Sequence, residues 1–503
     1  MMTKRNHLFI GLFSFGVIGI FGAYQVSWQF DDRLFFVFLL VPFSLICLVP
    51  AAVRLWEGKF DPFEPPTLMG FIYCLSFGLL SLRLLHPQAQ FFAFLGNDFH
   101  WLNMALLYLS IGLIVLWLGY CSRIALWIER MLHLDHRPLS PGSTSQVIFF
   151  WVPILYSIGS IARVYLISTG TFGYLKAQYR DVAEAQLSFA HLLTHVRLFC
   201  SYALVLSAIC YFTQRGIKQR IIFYSIVFTE ILFGLVSGFR TPIYLTFFFI
   251  GIAYYYIHRR VPLHYIFIGL IILLSVFPLI HSYRNLINTG NIDTKNTEQV
   301  FYSLWSILSD TMNEMGSETI IEGSQMASAR VNLIQCLASV IKFTWEHGSF
   351  PDRHLVVLMP LLAFVPRAVW PSKPRLELGY WFYTEVLGGS TISAVDTTFV
   401  GALYLYFGFW GYLAAMFLVG AFQKVAYRSY SFGNSLMSVF FAPFVIMAIV
   451  NTRSDFVANF AALIQQLIVM TIISKIVFRR LLTGSSLVVP LRSYTTHLRH
   501  IGS

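Results

Sequence analysis

Charged side chains are scarce: Asp, Glu, Lys and Arg together make up 12% of the 503 residues, against about 25% in an ordinary soluble domain. That shortage excludes a water-soluble globular fold. The six cysteines (Cys47, Cys74, Cys121, Cys200, Cys210 and Cys336) are scattered, mostly in apolar runs, with no CxxC pair and no ligand-like spacing. They read as small hydrophobic residues, not as a disulfide framework or a zinc site. No P-loop and no DxD tripeptide is present, so neither nucleotide hydrolysis nor a metal-bound nucleotide-sugar donor is supported. His191 and His195 stand one helical turn apart, but HLLTHVR lacks the Glu of HExxH and has no third ligand, so no metal is expected. No cofactor is expected either. Internal repeats and low-complexity tracts are missing too.

What the chain has is apolar residues, 57% of the total, with a mean hydropathy of +0.67. This is the composition of a polytopic membrane protein. Its formal net charge of +12 fits basic cytoplasmic loops at a membrane surface, so nucleic acid is not implied. Lys4 and Arg5 precede an apolar run over residues 8–24 with the outline of a signal peptide. No small-x-small cleavage site follows and a second run begins at once, so it reads as a retained span with the N-terminus inside. Further runs at 34–55, 67–85, 102–120, 147–167, 191–212, 221–238, 242–257 and 265–282 approach the roughly 20 residues a bilayer helix needs. Arg123, Arg130 and Arg137, then Arg215, Lys218 and Arg220, then Arg259 and Arg260 fall in loops that the positive-inside rule assigns to the cytoplasm.

Residues 283–398 then form a large external segment, and spans at 399–423, 435–451 and 457–478 return the chain to Arg479 and Arg480 inside. The expectation is an all-α bundle of about 12 spans. It divides into spans over 1–282, the external segment 283–398, spans over 399–480 and a basic cytoplasmic tail 481–503. Residues 355–365 are too few to span and read as re-entrant or packed on the bundle. The alternation over 324–345 predicts an amphipathic helix lying on the bundle.

An arginine at a helix centre costs on the order of 2.5 to 3.5 kcal/mol on insertion scales. Arg163, Arg197, Arg240, Arg284, Arg330, Arg353, Arg367 and Arg453 nevertheless all fall on or near the external face. Each alone could snorkel or pair with a carboxylate such as Asp181, Glu314 or Asp455; as a group they point to an anionic ligand, because guanidinium matches phosphate oxygens. Arg240 stands in SGFRTP, a Gly- and Pro-interrupted break between two short spans. The stretch 364–411 adds Arg367, Lys373, Arg375, Glu377, Glu385 and Asp396 among Trp370, Tyr380, Trp381, Phe382 and Tyr383, with three prolines. Such a polar, aromatic, irregular segment at a membrane face is a site candidate. For glycosyl transfer, the proton of an acceptor hydroxyl could go to Asp396, Glu385, Glu377, Asp310, His281 or His354. Asp396 ranks first by position, although the first turn of the following helix also favours a carboxylate there.

At PRAVWPSKP, followed by VGALYLYFGFWG, the sequence resembles the oligosaccharide repeat-unit polymerases of bacterial surface polysaccharides, the Wzy-type or O-antigen polymerase family. RLWEGKFDPFEPP, SGFRTP and ASARVNLIQCLASVI look like that family as well. The resemblance implies a GT-C-like, membrane-embedded glycosyltransferase of the bacterial inner membrane. Such an enzyme joins undecaprenyl-pyrophosphate-linked oligosaccharide units on the periplasmic face, without metal or nucleotide sugar, with a chain-length regulator protein as a further partner. Arg240, Arg367 and Lys373 are then the expected diphosphate contacts, with Arg163, Arg197, Arg284, Arg330, Trp370 and Tyr380 as further contacts to pyrophosphate or sugar. An O-antigen ligase and a flippase for the same lipid-linked sugar are the alternatives. A transporter would need polar residues along its whole path, whereas here they collect on one face.

Overall fold

The computed structural model of the chain describes residues 31–86, 92–96, 98–125, 127, 141–175, 193–214, 216–261, 263–289, 296–313, 332–348, 350, 365, 370, 378–389, 395–431, 436–450 and 456–483. Among these there is no strand, and helices supply the regular structure.

Local chemistry sets the helix starts. Asp31 caps α1 (Asp32–Trp56), its carboxylate accepting the N–H of Arg33 at 3.4 Å. Pro65 and Pro66 open α2 (Pro65–Tyr73), where a missing N–H costs nothing. Asp98 caps α3 (Phe99–Cys121), accepting from His100 at 2.8 Å. Beyond Tyr73 the α2 segment continues as a π turn at Cys74–Gly78 and 3-10 turns at Leu79–Leu85. The Ser76 carbonyl in this irregular stretch accepts the N–H of Leu333 at 3.1 Å.

The chain continues through α4 (Pro141–Ser168), α5 (Phe199–Gln214), α6 (Ile217–Val236), α7 (Thr241–His258) and α8 (Leu263–Asn288). Two helices of the expected external segment follow, α9 (Thr297–Asn313) and α10 (Ile334–His347), and then α11 (Phe399–Ser431), α12 (Leu436–Val450) and α13 (Phe456–Thr483). Eight stretches are long and apolar enough to cross a membrane: Asp32–Trp56, Pro65–Leu85, Phe99–Cys121, Ile148–Leu175, Leu193–Gln214, Ile217–Val236, Phe399–Tyr430 and Asn459–Val477. The runs expected at 242–257, 265–282 and 435–451 are helices too, and the run at 8–24 lies outside the described residues.

The closest helix pair is α3 with α11, side by side in the same direction. Tyr412 donates to the Tyr108 carbonyl at 3.1 Å. A Cβ on Gly119 would sit 2.0 Å from the Phe417 carbonyl oxygen, and one on Gly420 1.9 Å from that of Leu116. Only hydrogen fits at either position. Small residues that let two backbones touch are how membrane helices gain packing without a hydrophobic drive. Inside α11, Gly408 takes φ 64° and ψ −173°, so the helix is broken there.

α10 corrects an expectation. The helix observed is Ile334–His347, preceded by the non-helical Asn332 and Leu333, and Ile334 through Ile341 are all buried, packed against α3 and α11. It is a core helix, tied by the Gln335 side chain to the N–H of Phe92 at 2.8 Å and by Lys342 to the Phe94 carbonyl at 2.7 Å.

Contacts at the helix termini sort the molecule into two ends. One gathers the finish of α1, α3 and α7, the start of α2 and the second half of α11. Arg123, Arg259, Arg260, Lys424 and Arg428 lie in these terminal segments. The opposite end gathers the finish of α4, α6 and α8. A separate apolar cluster forms there from Leu166, Phe172, Val236, Ile280, Tyr283, Val300 and Leu304, among others.

Candidate functional site

At that opposite end two turns meet backbone to backbone. The N–H of Tyr174 donates to the Ser237 carbonyl at 2.8 Å, and a Cβ on Gly173 would lie 2.2 Å from the same oxygen. Gly238 adopts φ +64°, which lets SGFRTP double back within a few residues. Arg284, near the finish of α8, donates from Nε to the Gly238 carbonyl at 2.7 Å.

Around these turns guanidinium groups and aromatic rings alternate. The Arg284 guanidinium lies 4.6 Å from the ring centre of Tyr174 and 5.1 Å from that of Phe239, Arg240's neighbour. Arg163 lies 5.1 Å from the Phe233 ring and Arg197 5.9 Å from that of Phe172, and Phe172 and Phe233 are themselves edge to face. Arg163 and Arg197 are close enough for their charges to interact. A ring face attracts a cation electrostatically, and more strongly where both are shielded from water. Arg163, Arg197, Arg240 and Arg284, distant in sequence, thus belong to one end of one cluster.

Both ends of the Arg163 fork are taken by Glu230, at 2.5 and 2.9 Å, and both residues are buried. Arg163 is therefore a fixed charge held inside the bundle and not an open contact for a ligand. Its partner is none of the carboxylates considered from sequence. Glu230 stands alone in the apolar run IVFTEILF, and a single carboxylate in such a run is itself a signal that sequence reasoning passed over.

The candidate bases separate. His281 is on α8, one turn before Arg284, half-buried, with the Asn285 amide 3.4 Å from its Nε2. Asp396 and Glu385 are exposed and belong to the other packing cluster, beside α10 and the start of α11. At the start of α11 the Thr398 hydroxyl accepts the N–H of Gly401 at 3.0 Å. Tyr380 is half-buried in the short turn Leu378–Trp381, where Trp381 packs edge-on against Phe343 and Phe350. Trp370 is 36% exposed. Arg330, Arg367, Lys373, Glu377 and His354, and the Asp310 side chain, lie outside the described residues. No group of three or more metal-ligating side chains occurs among the described residues.

A second polar cluster closes the other end. Arg54 forks onto Glu64, with Nε at 2.6 Å from Oε2 and its other nitrogen on Oε1, and also reaches Glu57 at 3.1 Å. Tyr120 donates to Glu64 at 2.6 Å, and Lys424 lies 4.4 Å over the Tyr120 ring. Asp61 is buried and accepts from the N–H of Phe63 at 2.9 Å, from Tyr427 at 2.9 Å and from Tyr256 at 3.5 Å. Burial pushes the Asp61 carboxyl above the usual carboxylate range, against the pull of the Phe63 and Tyr427 hydrogen bonds. Five segments are joined by these two carboxylates.

No curated protein and no solved structure matches the chain. Residues 153–483, which carry every member of the arginine cluster, match a family described as a domain of unknown function, and the chain accordingly belongs to that family, DUF8712.

Proposed function

We propose that this chain is a membrane glycosyltransferase that polymerises undecaprenyl-pyrophosphate-linked oligosaccharide units of a bacterial surface polysaccharide, on the periplasmic face of the inner membrane. The observation that carries the proposal is the alternation of Arg197, Arg284 and Arg163 with Phe172, Tyr174, Phe233 and Phe239 at one end of the bundle. Glu230 pairs with one of the four arginines, Arg163. The Arg197 and Arg284 guanidinium groups would stabilise the negative charge that builds on a departing lipid pyrophosphate, with Arg163 held back by Glu230, while the Tyr174 and Phe239 rings offer faces to sugar. The sugar–phosphate bond breaks, the acceptor hydroxyl forms the new glycosidic bond, and its proton passes to a base. His281 fits that role best, one helical turn from Arg284 on α8. This reading takes the bundle as about twelve spans of the GT-C-like type.

The polar cluster at the other end supports an enzyme over a flippase. A transporter must open there, and the Glu64 and Asp61 hydrogen bonds tie α1, α2, α3, α7 and α11 together. The test is incubation of the purified chain, without metal, with a defined undecaprenyl-pyrophosphate-linked repeat unit, followed by separation of products by length. The proposal expects a ladder of lipid-linked oligomers that Arg284→Ala and Arg240→Ala abolish. No ladder with the unit that the source organism makes would remove the polymerase reading; transfer to lipid A core alone would make it a ligase.

A further inference from the structure

α9 is apolar on two sides. With about 3.6 residues per turn, Val300, Leu304 and Ile307 share one sector, and all three are buried against the cluster that includes Leu279, Ile280, Tyr283 and Ile287 of α8. Phe301, Tyr302 and Trp305 occupy a second sector and are 47%, 74% and 70% exposed, with the exposed Glu298 in the first turn of the helix. Gln299, Ser303 and Ser306 form a third, polar sector between them. A water-facing helix has no use for the second sector.

The helices that α9 packs on decide what covers it. α9 lies across the finish of α6 and α8, whose remaining outer surfaces are those of membrane helices: Tyr224, Phe228 and Leu232 on α6, and Phe267 and Ile271 on α8, are all exposed. α9 packs on Leu235 and Val236 of α6 and on Leu279, Ile280, Tyr283 and Ile287 of α8, so its aromatic sector stands at the level where these apolar helices end. Tyr and Trp are the residues that favour this depth, with ring in the acyl boundary and polar tip among headgroups.

We propose that α9 lies flat in the headgroup layer of the bilayer, with Phe301, Tyr302 and Trp305 at the acyl boundary and Gln299, Ser303 and Ser306 towards water. The partner is the lipid surface itself. α9 thereby fixes the depth of α8, and with it Arg284 and Gly238, relative to the membrane plane. The inference holds whatever reaction the arginine end performs.

The test places single nitroxide labels at 302, 305 and 306 of the full chain, in nanodiscs of phosphatidylethanolamine and phosphatidylglycerol. Cys121, the exposed cysteine among the six, is replaced by Ser. Power-saturation depth parameters against oxygen and a water-soluble nickel chelate should be positive at 302 and 305 and negative at 306. Negative values at all three positions, meaning water, would overturn the proposal. So would exclusion of both reagents from 302 and 305, meaning a second copy or another protein. A second measurement needs no label: brominated lipids should quench the Trp305 emission, taken as the difference between the native chain and Trp305→Phe. An unquenched difference would equally overturn it.

Discussion

Replacing Glu230 by leucine strands the Arg163 guanidinium in the bundle without its counter-charge. Breaking one side of a buried pair costs about 3 to 5 kcal/mol, whereas replacing both sides with apolar groups is close to neutral. Thermal unfolding in detergent should therefore show a large loss for Glu230→Leu and a recovery in Arg163→Met/Glu230→Leu. Equal losses in both would mean that a stranded Arg163 charge is not the cause of the loss. Asp61 gives a different signature. Its folded-state carboxyl sits above the ordinary value, about 3.9, because burial penalises the charge. Stability from this group is thus fully present below the ordinary value and is lost as pH rises through the raised one. Over that window the native chain should lose stability relative to Asp61→Asn, which keeps an acceptor for Tyr427 and Phe63. Parallel pH profiles would remove the effect. Glu64 and Arg259 are the neighbouring charges that modulate it. Of the site residues, the arginines were legible because charge in an apolar run has to be explained. The rings around them were not, since aromatics are 17% of the whole chain and nothing in the sequence separates a stacked ring from a lipid-facing one.

Elements were legible where their length and apolarity alone define them, and the apolar runs expected from residue 34 onward fall on described helices, whereas α9 was not expected from the sequence. Breaks within helices were not. The π turn at Cys74–Gly78 and the left-handed Gly408 inside α11 leave composition unchanged, so no hydropathy signal marks them. The burial of α10 was hidden for a related reason: its polar residues, Gln335 and Lys342, are satisfied by backbone groups of the 92–95 turn, which a helix read in isolation cannot reveal. The α3–α11 contact yields a prediction at this scale. Gly420→Val drives a branched side chain into the Leu116 carbonyl, and overpacking of this kind costs about 1 to 3 kcal/mol or more. Gly58→Ala, at a positive φ with nothing within 4 Å, should cost only the smaller backbone strain, roughly 1 to 2 kcal/mol. A melting temperature unchanged by Gly420→Val would mean that the helices do not touch there.

For the whole molecule, the division into two ends predicts opposite access from opposite sides of a membrane. Lys59 and Phe239 are both exposed, one beside the Asp61 turn and the other beside Arg240. In a Cys121→Ser background, an impermeant maleimide applied to intact cells should label Phe239→Cys and spare Lys59→Cys until the membrane is opened. Labelling of both, or the reverse order, would contradict the sidedness argued from the basic loops. The same division has a consequence for how the protein is made. Tyr108 and Tyr412, which join the closest helix pair, are 304 residues apart in sequence. At roughly 5 to 20 residues per second, α3 waits on the order of 15 to 60 s between its own synthesis and the arrival of its partner. During that wait Gly112 and Gly119 face lipid and Glu64 has no Lys424 nearby. An early half of the chain that is incomplete by design is a natural client for membrane insertion machinery and a natural target for membrane proteases, and truncation before α11 should be cleared and not accumulate.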